Sequence, residues 1–333
     1  MRKGRQFRLC FSFFAVICLL MPMALSLSQG QGPPAGGVVK DNMFGSVLLP
    51  DTVRLMVGDR GKIYRSEDSG KTWLEIRSGT RRPLFSVSFP DAKSGWICGN
   101  RGVILHSADG GLTWSGQESG TEKHLFAVDF TDGLHGAAVG DWGAILLTED
   151  GGATWQDVSV PEDVVLYGVR FADRQTGWIA GEFGAIFRTR DGGRTWSRVE
   201  PPFSAESSFF CVEVKDDCIY LAGLDGRILT SQDAGNTWKW SEYEAGAALY
   251  SLAAGAETVW AVGENGTVAL STDRGTPWRA LDVPEDLRLF WFGTVSLNKS
   301  ASEDVSGFLA GANGLRFSIE QNQVRWGPGG QQR

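Results

Sequence analysis

Histidine is nearly missing from this sequence: three residues among 333. Cysteine is scarce too, five in all, and no Cys-x-x-Cys pair occurs. A structural or catalytic metal needs such side chains clustered at short spacing, so no metal site is expected. An excess of positive charge is also missing, since 32 Lys and Arg stand against 39 Asp and Glu for a net charge of −7. A duplex-binding protein needs a net basic face, so nucleic acid is set aside as a partner. Beyond the first 26 residues no apolar run reaches the ~20 residues of a membrane-spanning helix. No stretch sustains a helical period.

The beginning of the chain is different. Arg2, Lys3, Arg5 and Arg8 precede an apolar run from Leu9 to Leu20, and Ala24-Leu25-Ser26 then offers small residues. This is the pattern of a secretory signal peptide cleaved near Ser26. The competing reading is an uncleaved anchor, disfavoured by Pro22 and the small residues. Cleavage removes four positive charges and no acids, taking the net charge from −7 to about −11. The product is expected outside the cytoplasm, in a periplasm or lumen. QGQGPPAGGVVKD (29–41) has no apolar pattern and reads as a flexible lead-in within residues 27–42.

Glycine and tryptophan are plentiful, 44 and 13 residues, and much of both belongs to one recurring phrase. VGDRGKIYRSEDSGKTW (57–73), CGNRGVILHSADGGLTW (98–114) and VGDWGAILLTEDGGATW (139–155) are followed by AGEFGAIFRTRDGGRTW (180–196). Then come AGLDGRILTSQDAGNTW (222–238), VGENGTVALSTDRGTPW (262–278) and a degenerate AGANGLRFSIEQNQVRW (310–326). The closing tryptophans are spaced 41, 41, 41, 42, 40 and 48 residues apart, so the chain contains seven units. Each unit has four apolar-alternating runs, too short for helices and separated by turn residues. Four strands per ~41 residues, repeated seven times, predict an all-β, seven-bladed β-propeller over residues 43–328.

The phrase S/T-x-D-x-G-x-T-W is the Asp-box. Found in nearly every unit and joined to an upstream [VA]-G-[DEN]-x-G, it resembles the repeat of the photosystem II stability and assembly factor family. That resemblance covers residues 43–327 and implies a seven-bladed extracytoplasmic propeller that binds protein partners through an arginine-bearing face. Pro277, which replaces the usual Thr, and the last copy, with Glu320 for Asp, depart from the pattern.

The box reads as scaffold. Asp68, Asp109, Asp150, Asp191, Asp233 and Asp273 can accept hydrogen bonds from their own turns. The glycine two residues on supplies a positive φ. Trp73, Trp114, Trp155, Trp196, Trp238 and Trp278 bury against a neighbouring blade. One carboxylate per copy falls short of the alternating set of a calcium loop.

Seven copies also separate what the fold explains from what it does not. Trp96, Trp178 and Trp260 share a second-strand position with Leu55, Tyr220 and Phe308, so they are core. Tyr167 and Tyr250 align with Phe85, Phe126, Phe210 and Phe290. Cys98 reads as core and His106 as an exposed strand position. Cys211 is either a packed free thiol or bonded across a hairpin to Cys218. The residues left unexplained lie in the turn between second and third strands and in the connections between blades, which share one face of a propeller. Arg60, Arg81, Arg82, Arg101 and Lys123 form a basic sector there, with Trp142 and Phe183 beside it. Arginines next to exposed aromatics are the chemistry of protein-interface anchors.

These residues favour a monomeric, non-catalytic propeller that needs no cofactor and binds an extracytoplasmic segment of a membrane protein or complex. The alternatives are a sialidase-like glycoside hydrolase and a glycan-binding propeller. A sialidase needs three converging arginines and a Tyr–Glu pair, and the repeat leaves only Tyr243 unassigned among five tyrosines. A glycan-binding surface would use Trp142 and Phe183 but give the arginines no task.

Overall fold

The computed structural model describes residues 39–50, 52–201, 207–297 and 306–326. The signal-peptide assignment, and the lead-in as far as residue 38, lie outside the described residues. The chain forms seven four-stranded antiparallel sheets, each built from consecutive strands. In blade 1 they are β1 (Met43–Leu48), β2 (Arg54–Gly58), β3 (Ile63–Ser66) and β4 (Leu74–Ile76). The other blades span residues 84–117, 125–157, 166–198, 209–244, 249–280 and 292–325. First strands of adjacent blades touch all the way round, and β1 meets the first strand of blade 7, Phe292–Leu297. The expected all-β, seven-bladed architecture holds. No helix of the described residues is long and apolar enough to cross a membrane.

The box turns fasten their own hairpins. In blade 1 the Ser66 hydroxyl donates to Asp68 Oδ1 at 2.8 Å and accepts from the Gly70 amide at 2.8 Å. Asp68 also accepts from the Thr72 amide (2.8 Å) and hydroxyl (2.6 Å). The same set recurs at Asp109, Asp150, Asp191 and Asp233. At Asp68 and Asp109 a desolvation penalty is outweighed by these bonds, which pull both carboxyls down to about 2. At Asp233 the Thr237 hydroxyl leads, with the same result.

The box glycines have a second role that the repeat alone did not reveal. A Cβ on Gly235 would lie 2.1 Å from the Trp178 ring of the preceding blade, and one on Gly275 would lie 2.6 Å from the Tyr220 ring. The box is thus also the joint between blades, because only glycine lets the neighbour's second-strand aromatic come so close. The seventh copy is not a box. Its turn is a two-residue hairpin, Gln321 and Asn322 at φ 49° and 60°, with Glu320 paired to Gln323.

Around the axis stands a collar of aromatic side chains, one per blade. Phe44, Phe85, Phe126, Tyr167, Phe210, Tyr250 and Trp291 follow one another at centroid distances of 5.2 to 6.2 Å. Trp291 stacks back on Phe44 at 5.8 Å and 3°. The alignment of Phe290 with this set is corrected by the strand register. Phe292 pairs with Gly311 as Leu84 pairs with Gly99, so the collar position of blade 7 is Gly293. Trp291 lies over that glycine, where a Cβ would meet its ring at 2.5 Å, and fills the gap. Deeper along the axis, Arg170 bridges Asp129 (3.2 Å) and Glu213 (2.9 Å), tying blades 3, 4 and 5 together.

The ring closes without exchanging a strand. Ser46 hydrogen-bonds Thr294 and Ser296 at 2.9 and 2.6 Å, and Trp73 packs on Phe308 at 5.5 Å. Val39 to Asn42, read from sequence as the end of a flexible lead-in, are part of this closure. Val39 and Asp41 are buried, and Asn42 accepts from the Asn313 amide of blade 7 while donating to Asp59 of blade 1. The cysteines of blade 5 are both free. Cys211 pairs with Ala222 and Cys218 with Lys215, at opposite ends of the hairpin. Cys98 is fully buried. His106 is half-buried rather than exposed, because its ring packs on Trp96 at 4.7 Å.

A candidate protein-binding face

The turn between second and third strands is a tight Gly-x-X-Gly loop. In blade 1 the Gly58 amide donates to the Lys62 carbonyl and the Lys62 amide to the Asp59 carbonyl. In six of the seven blades the second central residue of this loop lies in the left-handed region; Asp225 of blade 5 does not. Asn265 and Asn313 occupy that position in blades 6 and 7, at φ 52° in each case. Asparagine tolerates it well. Blades 1 to 4 instead place Arg60, Arg101, Trp142 and Phe183 there, at φ 55°, 53°, 58° and 51°. For large side chains with a Cβ this conformation is strained.

All four side chains reach outward. The exposed fractions are 71% for the Arg60 side chain and 56% for that of Arg101, and 60% and 65% for Trp142 and Phe183. The connections between blades run beside these turns, as expected. Arg82 Nη1 donates to the Arg101 carbonyl at 3.1 Å, and Lys123 Nζ to the Trp142 carbonyl at 3.4 Å. The Arg101 amide donates to His124 Nδ1 at 3.0 Å. Six of the seven residues singled out from sequence therefore join by contact or by repeat position on one face of blades 1 to 4. Arg81 is exposed on the connection at the same rim.

The basic sector is less uniform than its sequence. Arg60 is ion-paired to Asp41, which also accepts from the Tyr64 hydroxyl at 2.6 Å. That bond to Asp41 raises the Arg60 guanidinium above its ordinary value. Arg101 is paired with Glu122 at 3.1 Å. Two open troughs flank the connection Ser78–Gly79–Thr80. One, about 750 Å³, is lined by Asp41, Arg60, Lys62, Glu75, Arg77 and Arg81. The other, about 600 Å³, takes in Arg82, Arg101, Glu118 and Glu122. Arg77 was missed in the sequence, although a signal was present. Ser-Gly-Thr recurs at 78–80 and 119–121, and the residue before it is Arg77 in one copy and Glu118 in the other.

Two Tyr–Glu pairs also lie near this face, Tyr167–Glu182 at 3.3 Å and Tyr250–Glu264 at 2.6 Å. Burial, then the Glu264 contact, pushes the Tyr250 hydroxyl up, the opposite of an activated nucleophile. No arginine among the described residues forms an ion pair with either glutamate. Tyr243, the tyrosine left unassigned by the repeat, is half-buried in the outer strand of blade 5.

Fold and turns together define a closed Asp-box propeller with one arginine- and aromatic-bearing face. The chain belongs to the family described as photosynthesis system II assembly factor YCF48, which matches residues 50–119, 113–200 and 153–281. Among solved structures it is similar to a YCF48 bound to D1 peptide, at TM-score 0.67 and 18% identity over 84% of this chain and 92% of that one. YCF48 from Cyanidioschyzon merolae gives TM-score 0.66 and 19% identity over 86% and 98% of the two chains. The GH74 xyloglucanase from Xanthomonas campestris gives 0.69 and 14% over 89% of this chain and 54% of that one. At these identities the structural likeness speaks for the fold alone. No curated protein matches the chain.

Proposed function

We propose that this protein is a non-catalytic, extracytoplasmic, monomeric propeller that grips a segment of a partner protein with the turn face of blades 1 to 4. The partner is an extracytoplasmic part of a membrane protein or complex, and the task is to assist its assembly. One observation carries the reading. Four adjacent blades hold Arg, Arg, Trp and Phe in a left-handed backbone position that blades 6 and 7 fill with asparagine. The fold has a cheaper residue for that position, so the large side chains are kept for what they present. Family membership and the relative bound to D1 peptide agree with a peptide-sized ligand.

On this reading guanidiniums pair with partner carboxylates, while Trp142 and Phe183 enter apolar hollows of the partner. The leader delivers the propeller to the compartment where such segments are exposed. The test is capture of the tagged protein from envelope extracts, comparing wild type with Arg101→Ala plus Trp142→Ala. A specific membrane protein is expected with the wild type and lost with the double variant. Equal recovery removes this face from the account. Turnover of a fluorogenic sialoside or xyloglucan oligosaccharide would replace it with a hydrolase.

A further inference from the structure

The basic sector divides into two troughs whose charges differ. In the trough of blade 2, Arg82 and Arg101 face Glu118 and Glu122, and the charges balance. In the trough of blade 1, Arg60, Lys62, Arg77 and Arg81 face, among the described residues, only Asp41 and Glu75. Both of these acids are already engaged, Asp41 by Arg60 and Tyr64, and Glu75 by Lys62 at 2.6 Å. Arg77 and Arg81 have no ion-pair partner among the described residues, and both are exposed. Uncompensated guanidiniums on an open trough favour a carboxylate from outside, which each can hold through two parallel N–H···O bonds.

The chain itself shows what this trough accepts. Asp41 enters from the segment that closes the ring and is 5% exposed. It is held by a guanidinium and a phenol as a bound carboxylate would be. We infer that the blade 1 trough is a carboxylate-binding subsite in which Arg77 and Arg81 take acidic side chains of a peptide segment, and in which Asp41 withholds Arg60 from that ligand. The trough is open and shares the Ser78–Thr80 wall with its neighbour, so it suits an internal stretch of chain rather than a chain end. This deepens the protein-binding reading and rests on it. It places the acidic part of the partner at blade 1 and the apolar part at Trp142 and Phe183.

The probe is a fluorescein-labelled hexaglutamate amide, titrated by polarisation against the full chain at low ionic strength, with the hexaglutamine amide as control. Wild type is expected to bind the acidic peptide and not the neutral one. Arg77→Gln with Arg81→Gln weakens binding at least about tenfold, the equivalent of losing about 1.4 kcal/mol. Arg174→Gln, which removes an exposed guanidinium of blade 4 paired with Asp132 at 2.6 Å, leaves it within about twofold. Asp41→Asn keeps a hydrogen-bond acceptor for Tyr64 but frees Arg60, and it tightens binding severalfold, a change of sign that a purely structural Asp41 would not give. Equal binding by the Arg77/Arg81 variant, weaker binding by Asp41→Asn, or no wild-type preference for glutamate overturns the assignment. A hexaglutamate with a free C-terminal acid that alone binds would replace the side-chain ligand with a chain terminus. In envelope capture, a partner lost with Trp142→Ala plus Phe183→Ala but kept with the Arg77/Arg81 variant sinks the trough and spares the face. A partner kept by both sinks the face itself.

Discussion

Both ends of each blade need left-handed residues, and the two ends fill them differently. At the box end the second position is glycine in all six boxes, the first is glycine in three and Ser69, Ala234 or Arg274 in the others, and blade 7 has Gln321 and Asn322. At the other end four of the positions hold long or aromatic side chains. The box end is chosen for what the backbone and the next blade require. Two of its glycines, Gly235 and Gly275, accept the preceding blade's ring, and its aspartates cap their own amides. The other end tolerates strain in favour of what projects from it.

The largest test of that difference exchanges a glycine at each end. Gly235→Ala places a methyl against the buried Trp178 ring at a φ of 82°. It is expected to lower stability by about 2–4 kcal/mol in urea denaturation. Gly79→Ala, on the connection beside the troughs, meets nothing within 4 Å at a φ of 77° and should cost only the conformational term, about 1 kcal/mol. Similar losses at both positions would erase the contrast.

Next in size is the box carboxylate. Asp109 accepts from the Ser107 hydroxyl, the Leu112 and Thr113 amides and the Thr113 hydroxyl. Pro277 has replaced the corresponding threonine in blade 6, and among the described residues no hydrogen bond reaches the Asp273 carboxylate. Asp109→Ala should therefore cost about 1 kcal/mol, solvent exposure holding it at that level, and Asp273→Ala a few tenths. The Asp109 effect also depends on pH. A carboxyl that titrates at about 2 in the fold and near 3.9 unfolded contributes fully above about pH 4 and loses its contribution as pH falls towards 2. Urea midpoints of wild type and Asp109→Ala should converge over that window, and a constant gap would refute the assignment.

The smallest effect has the opposite sign. Trp142→Asn puts at blade 3 the residue that blades 6 and 7 use, and it should stabilise the fold by about 0.5–1 kcal/mol while removing a binding anchor. A loss of stability would show that the Trp142 ring is structural after all.

The fold was legible because it is written seven times, so each strand and box could be read from its copies. The candidate face was legible by subtraction, since Trp142 and Phe183 stand where the copies disagree. What escaped was compensation between unequal positions. Trp291 fills the space left by Gly293 from two residues away, and comparison of copies placed Phe290 there instead. Asp41 stands where Arg82 and Lys123 stand in blades 2 and 3, one residue before a carbonyl that accepts from the turn, so comparison of copies gives a cation at that position and no acid to neutralise Arg60. Charge alone grouped five cations, of which the troughs divide four into two pairs while Lys123 lines neither.

The closure of the ring sets where it is weakest. Every blade is one uninterrupted length of chain, and blade 7 meets blade 1 through hydroxyls, stacked rings and Asn42 rather than a shared sheet. Under a pulling force that seam lacks the covalent bridge present at the other six. It is where the ring should part first, breaking the Asn42–Asn313 contact and leaving seven blades joined in a row through six covalent connections.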